Sequence, residues 1–175
     1  DEDGYAAGVH HRAVSSDYLE AMGVPILQGS PLPDARPGEE PVAVVNRTLA
    51  RSLDPEGEVV GTLLEIDEPE GRVVRRIVGV AGDMRLFGPI RRTYREVFVP
   101  FDQAPRRSAN LVVVWRDPLD ARRQASEERL REIVTAYAPQ VPVEEIVSLE
   151  EQVAGSVAHP RFGTVLLSVV SVLAG

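Results

Sequence analysis

The sequence predicts an α+β fold, mixed α/β in places, forming one domain of ordinary size or two small subdomains. Three observations lead there. Short strand-like apolar segments alternate with helical ones along the whole chain. Hairpin-like and crossover-like connections occur together, which separates this pattern from all-α, all-β and strictly alternating α/β chains. At 175 residues, with 43% apolar and 26% charged residues, the chain has the balance of a folded protein with a real core.

Ala6 to Val14 reads as the first strand. Asp17, with Glu20 three residues on, is a capping-box variant opening a short helix, and Gly23 stands where a helix end needs a left-handed residue. Val24-Pro25-Ile26-Leu27 follows as an extended segment, its proline suggesting an edge or a strand start. Ser30 to Pro41 is rich in proline and acids and reads as a loop. Val42-Ala43-Val44-Val45 is continuously apolar, the pattern of a strand buried on both faces. Asn46 then caps a helix carrying Leu49, Ala50 and Leu53, stopped by Asp54-Pro55.

A hairpin follows, Thr62–Ile66 and Arg72–Val80, turning over 67–71. Glu96–Phe101 and Asn110–Arg116 are further strands. Pro118 to Ala138 is the clearest helix, capped by Asp117, with an apolar stripe of Leu130, Ile133/Val134 and Tyr137. Val141–Val147 is a strand, and Ser148 with Glu151 forms a capping box for a last helix bearing Leu149, Val153 and Val157.

Composition excludes several functions. The net charge of -8 argues against a general nucleic-acid binder, whose affinity rests on neutralising phosphates. The absence of cysteine rules out disulfides and Cys-based zinc sites. His10 and His11 are adjacent, so on a strand they point to opposite faces and do not chelate one ion together. Gly79-Val80-Ala81-Gly82-Asp83 follows a strand but lacks the dinucleotide fingerprint, and a chain without lysine has no P-loop. The serines show no nucleophile elbow, and the carboxylates form no recognisable catalytic pair. Asn46-Arg47-Thr48 is a glycosylation sequon in form, but Asn46 is already claimed as a helix cap. Catalytic, cofactor and metal sites are therefore expected to be absent. Arg85, Arg91, Arg92, Arg95, Arg106 and Arg107 form a basic group, read as a solvated face or as a contact for anionic lipid or an acidic partner.

Phe162 to Gly175 carries no charge and is apolar all round a helix, with only Ser168 and Ser171 interrupting its long aliphatic face. Its 14 residues would make about 21 Å of helix, short of the roughly 20 residues a bilayer requires. The reading preferred here is the start of a membrane helix, residues 161–175, entered at Arg161 and Phe162; the rival is a core helix. The start at Asp1 and this apolar end suggest a piece of a longer protein.

Several segments together resemble one family. Ser16-Asp17-Tyr18-Leu19-Glu20-Ala21-Met22-Gly23-Val24-Pro25-Ile26-Leu27-Gln28-Gly29, then Val42 to Asn46 with Ala50-Arg51 and Gly61, are similar to stretches in the extracytoplasmic domains of MacB/FtsX-type ABC transporter permeases. So are Ile77-Val78-Gly79-Val80-Ala81-Gly82-Asp83-Met84-Arg85, Glu96 to Gln103 with Pro100 at its centre, and the segment from Ser148 into Arg161-Phe162. The form is nearest the duplicated orphan permeases of that group. Ser30 and Phe98 depart from the pattern, where arginine and tyrosine are usual.

The resemblance implies a porter-like βαβ subdomain from both chain ends, residues 1–38 and 106–160, and an inserted Sabre-like α/β subdomain, residues 39–105. It implies Tyr18, Gly23, Gly29, Asn46, Gly61, Gly79, Asp83 and Pro100 as fold positions. It further implies a non-enzymatic domain on the extracytoplasmic, periplasmic side of the inner membrane. There it would couple ATP-driven movement of membrane helices to the export or handling of a substrate. ATP would be bound only by a separate ATPase subunit; the other partners would be a second permease half or a homodimer mate, and the membrane. The competing reading is a free-standing soluble binding domain; a hydrolase would rest on scattered Ser, His and Asp alone.

Overall fold

A computed structural model describes residues 8–68, 71–84, 93–106, 108–114, 123–148 and 164–170. In chain order these form β1 (Val9–Val14), α1 (Tyr18–Ala21), β2 (Ile26–Gly29), β3 (Val42–Asn46), α2 (Arg47–Leu53), β4 (Leu63–Glu68) and β5 (Gly71–Ala81). After them come β6 (Arg95–Pro100), a 3-10 turn (Phe101–Gln103), β7 (Ser108–Val114), α3 (Arg123–Tyr137), β8 (Val143–Ser148) and β9 (Thr164–Val170). The fold is α+β, and the chain divides into two compact units at residue 105.

The first unit is a mixed sheet in the order β1-β6-β3-β5-β2, with β4 added to the outer part of β5. β1 runs parallel to β6 and β3 parallel to β5, whereas β3–β6, β2–β5 and β4–β5 are antiparallel. β3 is central, and all five of its residues are buried, as its unbroken apolar run predicts. On one face Ala43, Val45, Ile77, Val97 and Val99 pack with Leu49 and Ala50 of α2, Val59, and Ile66 of β4. On the other, Val14, Val44, Ala81 and Phe98 pack with Leu19 of α1 and Leu32. The proline-rich segment after β2 is thus more than a surface connection, since Leu32 and Ala35 anchor it in the core.

The resemblance implies a grouping of residues 1–38 with 106–160; in the structure β1 pairs β6 and β2 pairs β5, so both strands lie in one sheet with β3, β5 and β6. The β1–β6 ladder joins residues more than eighty positions apart, and such pairing leaves no local mark in the chain.

In the second unit β9 lies between β7 and β8 and is antiparallel to both. β7 and β8 are therefore parallel to each other and joined through α3, a split β-α-β arrangement. On α3 Leu130 is buried, but Ile133 and Tyr137 of the expected apolar stripe are exposed, Tyr137 at 89%. The expected cap, Asp117 with Pro118, lies outside the described residues, as does the helix expected after Ser148, which itself ends β8.

Over residues 164–170 the expectation of a helix is overturned; the rest of 162–175 lies outside the described residues. Thr164–Val170 is a strand, in register with β7 from Val114↔Thr164 to Ser108↔Val170. A short apolar run does not distinguish helix from strand by periodicity, and this one is rich in β-branched residues (Thr164, Val165, Val169, Val170) that favour a pleated ladder. Among the described residues no helix is long and apolar enough to cross a membrane.

Candidate functional site

Two buried polar groups stand out in the first unit, one at each end of its sheet. The first surrounds the start of α2. Asn46 is fully buried, and its Oδ1 accepts hydrogen bonds from the Leu49 N–H (2.9 Å) and the Glu96 N–H (3.0 Å). Its Nδ2 donates to the Tyr94 carbonyl at 2.7 Å. One amide thus caps a helix and ties it to β6, with its acceptor and donor sides both used. Asp83, just past β5, supplies a second cap: its Oδ1 accepts from the Thr48 N–H at 3.0 Å, and Arg47 Nε lies 3.6 Å from its Oδ2. Glu96, itself buried, pairs with Arg12 Nε of β1 at 2.9 Å. Burial raises the Tyr18 phenol above its ordinary pKa; the Arg12 charge opposes that shift and Glu96 adds to it. The burial of Asn46 also removes its sequon as a modification site.

The second group centres on Arg75, whose side chain is 1% exposed. Its Nε donates to Glu68 Oε1 at 2.7 Å, its Nη1 to Gln103 Oε1 at 2.9 Å and to the Val42 carbonyl at 3.3 Å. His11 Nε2 of β1 lies 3.5 Å from the same Glu68 oxygen. Gln103 extends the group by accepting from the Val42 N–H and donating to the Glu40 carbonyl. Burying an arginine requires a counter-ion and filled donors, and both are present.

The remaining marked positions also serve the backbone. Gly23 ends α1 at φ +66°, its N–H donating to the Glu20 carbonyl. Gly29 and Gly79 face each other where β2 meets β5: a Cβ on Gly29 would overlap the Val78 carbonyl, and one on Gly79 the Ser30 carbonyl. Gly61, at φ +89°, donates to the Ile77 carbonyl at 2.7 Å. Tyr18 packs its ring 6.5 Å from that of Phe98, and Pro100 closes β6 opposite Val14. In this sheet these residues cap helices, turn the chain or pack side chains.

The arginine group is not assembled among the described residues. Arg95 is exposed at the start of β6 and Arg106 is half-buried and already engaged. Arg85, Arg91, Arg92, Arg107, Arg161 and Phe162 lie outside the described residues. His10 is exposed and lies against the Tyr94 ring at 4.7 Å, whereas His11 turns inward, as expected for strand neighbours. Among the described residues no three His, Asp or Glu side chains are placed to hold a metal ion.

Sequence reasoning missed Arg75, Glu68 and Gln103. A signal was present: Arg75-Arg76 sit side by side on a strand, so one of them must face inward.

Taken together, this is a mixed-sheet α+β domain whose marked residues hold backbone in place. The chain belongs to the family of MacB-like periplasmic core domains, whose sequence profile matches residues 3–148. Among solved structures it is similar to the periplasmic region of MacB from Actinobacillus actinomycetemcomitans, at 13% identity and a TM-score of 0.48. That alignment covers 73% of this chain and 56% of the other, so this chain spans little more than half of the solved region. No curated protein matched the chain.

Proposed function

We propose that this domain serves an ABC transporter permease on the outer side of the cytoplasmic membrane, coupling ATP-driven movement of membrane helices to the export or handling of a substrate. The observation that carries the reading is the family match over residues 3–148. The buried polar group around Asn46 and Asp83 agrees with it, because it spends its hydrogen bonds on caps and strand ties in the body of the sheet. A domain that transmits movement needs such stiffness, since hinge and shear motions act through rigid bodies. In this reading the domain has no catalysis or cofactor of its own. ATP hydrolysis belongs to a separate subunit, and the permease works with a second half or a second copy.

The complete transporter tests this. With residues 1–148 deleted, transport should be lost while the ATPase subunit still hydrolyses ATP and the permease still reaches the membrane. Normal transport without the domain would defeat the reading. One observation favours the rival, a self-contained binding domain: Thr164–Val170 completes a sheet within the second unit. Under that rival the natural protein would work without any membrane-embedded permease, and fractionation of cells carrying the natural gene separates the two.

A further inference from the structure

β5 has two halves with different neighbours. Its ladder with β3 begins only at Val42↔Arg76, so residues 71–75 pair with β4 and not with β3. In a flat sheet ordered β1-β6-β3-β5-β4, β1 and β4 would lie four strand spacings apart, about 19 Å. Yet His11 of β1 and Glu68 at the end of β4 are 3.5 Å apart. The outer hairpin therefore curls across one face of its own sheet until its end reaches β1.

We propose that β4 together with residues 71–75 forms a strap that opens as a unit while the rest of the sheet stays paired. Three features of the fastening point that way. Among the described strands β4 pairs with β5 alone. Its apolar hold on the core is limited to Ile66 and the half-buried Leu64, while Leu63 and Val74 face outward, Leu63 at 63% exposure. The far end is held to the body by His11 against Glu68 and by the Arg75 guanidinium on Gln103 and the Val42 carbonyl, contacts of side chains and not of a ladder; the Arg75–Glu68 pair lies within the strap and supplies that guanidinium's counter-charge. Local opening is drawn from regions with few buried apolar contacts, and a hairpin fastened by charge at its tip is such a region. Gly61, left-handed at φ +89° just ahead of β4, is placed to act as the hinge. Opening would uncover the end of the apolar cluster around Ile66 and Val59 beside β1.

Native-state hydrogen exchange on the whole chain tests this. In the unaltered protein the amides of 63–68 and 72–75 should exchange together, at least about tenfold faster than those of β3 and of 97–99. Glu68→Gln should speed the strap amides a further tenfold or so and leave β3 unchanged. His11→Gln should act in the same direction, more weakly. The proposal fails if the strap exchanges with the same free energy as β3 in the unaltered protein. It also fails if Glu68→Gln accelerates strap and core equally. Should that variant not fold, the unaltered protein and His11→Gln decide.

Discussion

The two halves of β5 are held in contrasting ways. In the inner half Gly79, Val80 and Ala81 are buried, lie close to β2 and β3, and make neutral contacts throughout. In the outer half Arg72, Val74 and Arg76 face outward, and the one fully buried side chain is a charged arginine. The inner half depends on shape: two glycines let backbones approach where no side chain fits. The outer half depends on charge matching, with Arg72 bridging Glu65 and Asp67 on the surface and Arg75 meeting Glu68 within. One strand thus shows that close packing fixes the body of the sheet, while ion pairs fasten its extension.

The largest expected effect tests the shape side. Gly79→Ala puts a methyl group against the Ser30 carbonyl, an atom of the main chain that cannot rotate away. A loss of about 3 kcal/mol is expected, in the upper range for overpacking. Urea unfolding measures it. A loss below about 1 kcal/mol would mean that the β2–β5 approach has slack that the geometry does not show.

Next comes Asn46→Ala. It removes a helix cap and leaves the Glu96 N–H and the Tyr94 carbonyl without their partner, a cost of about 2 kcal/mol. Asp83→Ala removes one cap bond at a half-exposed site and should cost about half as much. Thermal unfolding of the two variants together tests their coupling. Because both side chains cap α2, the double variant should lose less than the sum if the helix already frays in either one.

These residues also show what the sequence reveals. Asn46 and Gly23 were legible because a helix end needs an oxygen acceptor or a left-handed residue at a fixed offset, a strictly local demand. The burial of β3 was legible from four successive apolar residues. Asp83 was visible only through the family resemblance, since the helix it caps lies 35 positions away. Glu96 with Arg12, and Glu68 with His11, are partners across the fold, and nothing near either residue names the other. The apolar run of Thr164–Val170 fits a helix as well as a strand, because apolarity alone does not select a backbone conformation; the two strands flanking it do.

On the charge side, the double substitution Arg75→Met with Glu68→Leu replaces the buried pair by side chains of similar bulk. Global stability should change by no more than about 1 kcal/mol in either direction, because desolvating both ions offsets much of their attraction. Glu68→Leu alone should be clearly worse than the double variant, since it strands the arginine. If the double variant is as damaged as the single one, the bonds from Arg75 to Gln103 and Val42 matter more than its pairing with Glu68.

The smallest effect concerns pH and belongs to the body of the sheet. Tyr18 has its pKa raised by burial beside Phe98, with Arg12 opposing and Glu96 reinforcing that shift. The folded state therefore holds the phenolic proton more tightly than the unfolded chain does, and the associated stability is complete below the unfolded value of about 10. As pH rises past that value the unfolded chain releases its proton first, so stability falls until the folded pKa is passed. Tyr18→Phe keeps the ring and removes the titration. Its unfolding free energy should fall less steeply above pH 10 than that of the unaltered protein, while the two curves run parallel between pH 7 and 9. Equal slopes above pH 10 would show that the phenol meets solvent more freely than its seat against Phe98 implies.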